Sequence, residues 1–406
     1  MDAFEKLKSV SAHMGLEPTG EQTYTQPALP NTHQVAACGT VIKKDPVHSK
    51  LSRSMGELGI SNAVVSGGKT IPLLKTMMTT ACERDCFYCP FRAGRNSLRR
   101  QTFKPEEMAK TFMRMHKAGK VEGLFLSSGI IKGSVTTQDK IIATAEILRN
   151  KYRYRGYIHL KVMPGVEKEQ VRRLMELATR LSVNLEAPND KRLAMLAPKK
   201  QFVEELVRPL QWIDEIRRNE LPRKSWNGRW ASSVTQFVVG AVGESDLELL
   251  STSERMIKTY KLQRVYYSSF SPIKDTPFEH LPAQGLMRQH RLYQTSFLFR
   301  DYGYDLEEMP FDQAGNLPLN EDPKLAWAKH NLSDNPAELN TADRQALLRI
   351  PGIGPKGADK IMQARTRGTI SDVKHLKKLG VVTNRLEPYV LLNGRRPEKQ
   401  LSLFAF

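Results

Sequence analysis

Three cysteines fall within eight residues, Cys82-Glu-Arg-Asp-Cys86-Phe-Tyr-Cys89, a C-x3-C-x2-C spacing with Tyr88 directly before the last thiol. Three thiolates this close can each bind one iron of a [4Fe–4S] cube and leave the fourth iron without a protein ligand. An iron with an open position accepts a small molecule, so such a cluster suits catalysis rather than structure alone. Two other uses of the thiols fit less well. A disulfide framework belongs to short chains in oxidising compartments, whereas this chain has 406 residues and four cysteines in all. A structural zinc site takes a fourth Cys or His close by, and the next histidine downstream is His116.

The elements that must position these thiols can be read from hydrophobic pattern. From Ile71 onward, short apolar runs alternate with amphipathic stretches. The pattern predicts strands over Leu73–Met78, Gly123–Ser127, Tyr157–Val162, Leu181–Leu185, Thr235–Val239 and Arg264–Phe270. Helices are expected between them, among others Pro105–Ala118, Thr137–Lys151 and Lys168–Leu181. Strands separated by helices make parallel βαβ units, and where such units curl into a barrel chemistry gathers past the C-terminal ends of the strands. The cysteines follow the first strand. On the third, Tyr157, His159 and Lys161 alternate with Ile158 and Leu160, which puts the polar three on one face, toward a lumen. Asn184 and Glu186, two apart on the fourth, share a face and together can hydrogen-bond two neighbouring hydroxyls. Residues 1–70 are polar and weakly periodic and are expected to form an irregular extension.

The cysteine spacing, with Tyr88 before Cys89, resembles the signature of the radical S-adenosylmethionine (radical SAM) superfamily. The resemblance runs over roughly residues 71–277, with its elements in order, and implies a partial (β/α)6 barrel in an α/β chain. It also implies a [4Fe–4S] cluster on Cys82, Cys86 and Cys89, with S-adenosylmethionine on the open iron. An external one-electron donor would then drive cleavage to a 5′-deoxyadenosyl radical. Ser127-Ser128-Gly129 stands where many members carry Gly-Gly-Glu, so only the backbone role in holding the methionine amine carries over. Asn184 and Glu186 resemble the Asn-x-Asp pair that binds the ribose hydroxyls in biotin-synthase-like members. Gly240, Gly243 and Glu244 are similar to the superfamily's G-x-I-x-G-x-x-E region beside the adenosine. Ser271-Pro-Ile273-Lys-Asp275-Thr-Pro resembles the Pro-Ile-x-Gly-Thr-Pro segment that packs on adenine, with Asp275 in place of Gly. His159 and Lys161 complete the expected cofactor-facing set.

The net charge is +19 and the isoelectric point about 9.7, the balance of a polyanion-binding surface. Five bases and no acid lie between Phe91 and Pro105, directly after the cysteine loop, and a basic stretch with tryptophans runs from Trp212 to Trp230. Near the C-terminus, Ile350-Pro-Gly352-Ile353-Gly354-Pro-Lys356-Gly357-Ala358-Asp-Lys360-Ile361 looks like a helix-hairpin-helix motif. The glycines make a tight turn whose amides, at a helix N-terminus, suit a phosphate oxygen, and Gly352, Gly354, Lys356, Gly357 and Lys360 are the candidate DNA contacts. Such contacts position DNA without reading its sequence. Ile350, Ile353 and Ile361 would form a small core, and Leu376–Val382 reads as a second, degenerate hairpin. The segment from Asn331 to Phe406 carries 13 Lys and Arg against 7 Asp and Glu. Its last residues include Gln400-Leu-Ser-Leu-Phe404, which resembles the bacterial sliding-clamp-binding peptide.

The domain expectation is an N-terminal extension over 1–70, a radical SAM barrel over 71–277 and a connection over 278–331. A small all-α helix-hairpin-helix domain over 332–395 and a tail over 396–406 follow. The whole resembles radical SAM proteins with a helix-hairpin-helix C-terminus, described as DNA modification or repair proteins. The expected activity is a radical SAM enzyme acting on nucleic acid, DNA first. The alternative is an RNA-modifying radical SAM transferase, which would normally need more cysteines than the one remaining, Cys38. Cys38 has two readings: a hydrogen-atom donor that quenches a substrate radical, and a small buried apolar residue. The absence of an apolar N-terminal signal and of any membrane-length apolar run predicts a cytoplasmic protein.

Overall fold

The computed structural model describes residues 2–14, 58–64, 69–95 and 99–397. Cys38 and Gln400–Phe404 lie outside the described residues. The chain divides into two compact units, Met1–Glu244 with Arg255–Gln289, and Ser245–Glu254 with His290–Phe406.

The first unit is built on one sheet of seven strands arranged in chain order and curled into a half-barrel. The strands are β1 (Ile60–Val64), β2 (Thr70–Met77), β3 (Gly123–Ser127), β4 (Tyr157–Lys161), β5 (Arg180–Ser182), β6 (Ser232–Val239) and β7 (Arg264–Ser269). β1 runs antiparallel to β2, and every later pair is parallel. Helices cover the outer face: α1 (Ala3–Met14), α2 (Pro105–Lys117), α3 (Ser134–Glu146), α4 (Lys168–Leu177), α5 (Asp190–Leu196) and α6 (Arg208–Asn219). All five residues of β3 are buried, as expected of a parallel strand covered on both faces. α2 starts on Pro105 with Glu106 and Glu107 in its first turn, where acids meet the positive end of the helix dipole. It buries Met108, Phe112 and Met115.

Two departures from expectation have physical causes. Residues 1–70 are not wholly irregular, since α1 and β1 lie within them. Leu7, Val10 and Met14 are buried at helical spacing, and Lys6 bonds Glu107 at 2.7 Å. The fourth expected strand shortens to Arg180–Ser182. Val183 and Leu185 are still buried, and Val183 N–H still bonds Val234 O at 3.1 Å, but regular pairing stops at Ser182 and returns as an isolated bridge to Phe237 at Glu186, where φ is +64°. Apolar character there reports burial rather than sheet pairing.

The second unit holds the C-terminal helices α7 (Pro323–Asn331), α8 (Arg344–Arg349), α9 (Pro355–Arg365) and α10 (Val373–Lys378). Asp322, Asp343 and Asp372 cap three of them by accepting the amides of Leu325, Ala346 and Lys374. Ile350, Ile353 and Ile361 sit in one apolar core with Leu347, Leu376 and Leu386. Gly352 turns at φ +88°, and a Cβ there would stand 2.3 Å from the Val382 carbonyl oxygen. Gly352→Ala is therefore expected to destabilise this unit by more than about 1 kcal/mol in chemical denaturation, from left-handed strain plus the clash.

Lys324 donates to the Ile353 carbonyl at 2.6 Å and stands 4.6 Å from the centre of the Tyr302 ring. Burial, and then Arg349 beside it, pull its pKa down to about 7. In the unfolded chain a lysine titrates near 10.4, so between about pH 7 and 10 the unfolded state binds more protons. Stability should then rise with pH across that window and be flat below it. Denaturation of the full chain between pH 7 and 10 should show this rise, and Lys324→Met should flatten it.

Candidate active site

The three thiols lie on a loop between β2 and α2 that has no regular secondary structure, so its peptide groups need partners from elsewhere. Arg100 supplies the largest share. Its guanidinium donates to the carbonyls of Thr80 at 2.6 Å and of Phe91, Arg92 and Arg95 at 2.9 Å each. The end of β3 supplies a second tie. Gly129 N–H donates to Thr79 O at 2.7 Å, Glu83 N–H to Ile130 O at 2.8 Å, and Ile130 N–H to Cys82 Sγ at 3.4 Å. That approach requires glycine, because a Cβ at 129 would stand 2.2 Å from the Ala81 carbonyl oxygen. A third tie comes from the end of α5 and the segment after it. Phe87 N–H donates to Leu196 O at 2.9 Å, and Arg84 bonds Lys199 O and, at 2.5 Å, Glu205. The last comes from the loop after β7, where Arg95 donates to Lys274 O at 3.2 Å and Phe87 meets Phe278 edge-on at 5.4 Å.

The bases expected to form a nucleic-acid surface here are thus partly spent inside the protein. Arg95 and Arg100 bond carbonyls of the cysteine loop and its neighbour. The Trp212–Trp230 stretch behaves similarly: Arg217 bonds Ala231 O at 2.6 Å, and the indoles of Trp226 and Trp230 donate to Ala178 O and Glu220 O.

Cys82, Cys86 and Cys89 line one open cleft. Tyr88, Ser128, Gly129, Lys161, Asn184 and Glu186 line the same cleft, with Arg84, Met163 and Lys200. Among the described residues no three His, Cys, Asp or Glu side chains converge on a single ion. All three thiols line this one cleft, and a [4Fe–4S] cube takes one thiol per iron. Glu186 Oε1 accepts from Lys200 Nζ at 3.1 Å, with both side chains under a tenth exposed. Burial works against the Lys200 charge, but Cys86 and Glu186 outweigh it and hold the pKa above the usual lysine range. Burial pushes the Cys86 thiol up, and Lys200 opposes that push. Burial and the neighbouring Glu186 keep Tyr88 neutral.

The remaining expected residues do not line this cleft. Ser127 is buried, and its carbonyl accepts Met78 N–H at 2.9 Å. His159 lies two residues before Lys161, buried edge-on to the Phe125 ring at 4.8 Å. Glu244 folds its carboxylate back onto the amides of Gly240 at 2.5 Å and Val242 at 3.3 Å. Gly240 and Gly243 both have positive φ. Ile273 is buried, with its carbonyl bonded by Thr276 Oγ1 at 2.7 Å. Asp275, in place of the expected Gly, takes φ +65°, a left-handed conformation that Asp tolerates better than most residues. Sequence reasoning missed Lys200, Arg100 and Gln138. Gln138 accepts Met163 N–H at 2.8 Å and so holds one wall of the cleft.

In the second unit, Gly354 caps α9, and Lys356 and Gly357 lie in its first turn, where backbone amides lack acceptors within the helix. Lys356 is exposed. Lys360 donates to Leu379 O at 2.9 Å and so ties α9 to the segment after α10.

Arg100→Gln and Gly129→Ala should each lower the iron retained after anaerobic reconstitution. Arg100→Gln removes the four-carbonyl clamp and Gly129→Ala drives apart the Cys82 loop and the β3 end. Iron and sulfide assays against wild type check this.

Residues 76–250 match the family model of the radical SAM superfamily, and residues 334–385 match a helix-hairpin-helix motif. No curated protein matches the chain. Solved structures that resemble it include methylornithine synthase (15% identity, 56% of this chain and 61% of that one, TM-score 0.45). They also include the FeFe-hydrogenase maturase HydG from Carboxydothermus hydrogenoformans (14%, 56% and 51%, 0.43) and a radical SAM methyltransferase from Sphaerobacter thermophilus (16%, 62% and 79%, 0.41). The chain spans about half the length of the hydrogenase maturase. With the cysteine loop at the mouth of a half-barrel, the chain carries a radical SAM domain, of an enzyme family whose cofactors are a [4Fe–4S] cluster and S-adenosylmethionine, followed by a C-terminal helix-hairpin-helix motif.

Proposed function

We propose that this is a radical SAM enzyme that modifies or repairs nucleic acid, with DNA as the substrate class. The observation that carries the reading is the presence, in one chain of net charge +19, of a radical SAM domain and a helix-hairpin-helix motif. When bound, the cluster and S-adenosylmethionine supply reductive cleavage of the sulfonium and a 5′-deoxyadenosyl radical that abstracts hydrogen. Cys82, Cys86 and Cys89 would hold three irons. Asn184 and Glu186, both buried and lining the cleft, would hold the ribose hydroxyls, and the Ser128–Gly129 backbone, on the same cleft, would hold the methionine amine. An external donor supplies the electron. The amides at the start of α9 and the exposed Lys356 position the nucleic acid through phosphate. The thiols lie in a cleft on the barrel, and a base stacked within a duplex could not reach into it, so the target base or sugar would be single-stranded or turned out of the duplex.

The test is anaerobic reconstitution of the full chain, with 5′-deoxyadenosine measured alone and with duplex DNA, single-stranded DNA and RNA. Cleavage stimulated by DNA supports the reading. Stimulation by RNA alone favours the RNA-modifying alternative, and no cleavage under any condition defeats both. Asn184→Ala and Glu186→Ala should each weaken S-adenosylmethionine binding by about 1–3 kcal/mol in equilibrium titration while iron content is unchanged. Lys356→Gln should weaken duplex binding across sequences and reduce its salt slope by about 1. Cys38→Ala separates the two roles of that residue: a hydrogen donor would change the product while cofactor cleavage persists, and a structural thiol would leave the product unaltered.

A further inference from the structure

We infer that Lys200 is a fixed positive charge set against the cluster site and that, with Glu186 as its counterweight, it tunes the cluster's reduction potential. The inference rests on the radical SAM reading above and adds to it a residue outside the cysteine motif. Lys200 lines the cleft shared by the three thiols, and its side chain is 8% exposed. The segment that carries it is bonded to the cysteine loop by Phe87 N–H on Leu196 O at 2.9 Å and by Arg84 on Lys199 O. Backbone bonds therefore hold the segment against the loop, and the ion pair with Glu186 fixes the Lys200 side chain in the cleft. Arg84, another cation on the cleft, is bonded by Glu205 at 2.5 Å, and Glu205 does not line the cleft. The Lys200 partner, Glu186, lines the cleft itself, so both charges of that pair face whatever occupies it.

A buried ion pair is weak evidence for stability, because desolvation offsets much of the attraction. Glu186 is moreover held at φ +64°, a conformation that costs a non-glycine residue free energy and clusters at functional sites. Both costs are understandable if a third charge completes the arrangement. A [4Fe–4S] cluster with three thiolates is anionic and becomes more so on reduction. A cation in low-dielectric surroundings stabilises the reduced form, and an anion beside it does the opposite. Lys200 thus makes the cluster easier to reduce, and Glu186 limits how far.

The experiment is a redox titration of the anaerobically reconstituted full chain, without S-adenosylmethionine or substrate, followed by electron paramagnetic resonance. Lys200→Gln, which can still donate to Glu186, should move the midpoint to more negative potential. Lys200→Arg should restore it toward wild type, and Glu186→Gln should move it to more positive potential. If Lys200→Gln does not take up iron, Glu186→Gln decides alone. Midpoints equal to wild type in variants with full iron, or shifts of the same sign in Lys200→Gln and Glu186→Gln, overturn the inference while leaving the radical SAM reading in place. A wild-type chain that assembles no [4Fe–4S] cluster overturns that reading and the inference with it.

Discussion

Three thiols can share a cluster only if the loop between them keeps its shape, and this loop has neither helix nor strand to hold it. One guanidinium substitutes for both. Arg100 gathers four carbonyls from Thr80 to Arg95, and the planar, five-donor geometry of arginine suits that task where a lysine point charge does not. Around this clamp the half-barrel contributes the ends of β2 and β3, the loop after β7, and the end of α5 with the segment that follows it, each touching the loop through at least one hydrogen bond. The site is the place where distant parts of the first unit meet, and the sheet's curvature brings them together.

Charge sets the chemistry of the cleft as much as shape does. Its lining combines Arg84, Lys161 and Lys200 with a single carboxylate, Glu186. That excess of positive charge suits an anionic cluster and the carboxylate of a bound amino-acid cofactor. The Lys200 ammonium beside Cys86 favours the thiolate against the desolvation that burial imposes. The polar wall also has to be rigid, and Gln138 and the Arg84–Glu205 pair serve that end without touching the thiols.

Much of this was legible in the sequence where signals are local. The cysteine spacing and the Gly352-Ile353-Gly354 turn depend on near neighbours only, whereas Asn184 and Glu186 share the cleft although the strand whose alternation was to align them stops at Ser182. Ile350, Ile353 and Ile361 are a core because their spacing follows from a turn and a helix. What stayed hidden depends on contacts far apart in the chain. Lys200 follows no spacing rule, and only folding brings it to Glu186. The bases after the cysteine loop illustrate the limit of composition: a run of arginines looks the same whether it faces phosphate or, like Arg100, carbonyl oxygens. Asp275 stands where a glycine was expected because the backbone needs a left-handed residue there, and Asp supplies one. β5 is shorter than its apolar run suggests, because burial and strand pairing give the same apolar pattern, and past Ser182 the chain keeps the first while losing regular pairing.

The central claim is that the Cys82–Cys89 loop holds a cluster with one iron open to S-adenosylmethionine. Electron–nuclear double resonance on the reduced, reconstituted chain with S-adenosylmethionine labelled at the amino nitrogen and carboxylate oxygen tests it most directly. The account predicts hyperfine coupling from both labels to the cluster, lost when Cys82, Cys86 or Cys89 is replaced by Ala. A cluster that forms yet shows no coupling to either label would contradict it.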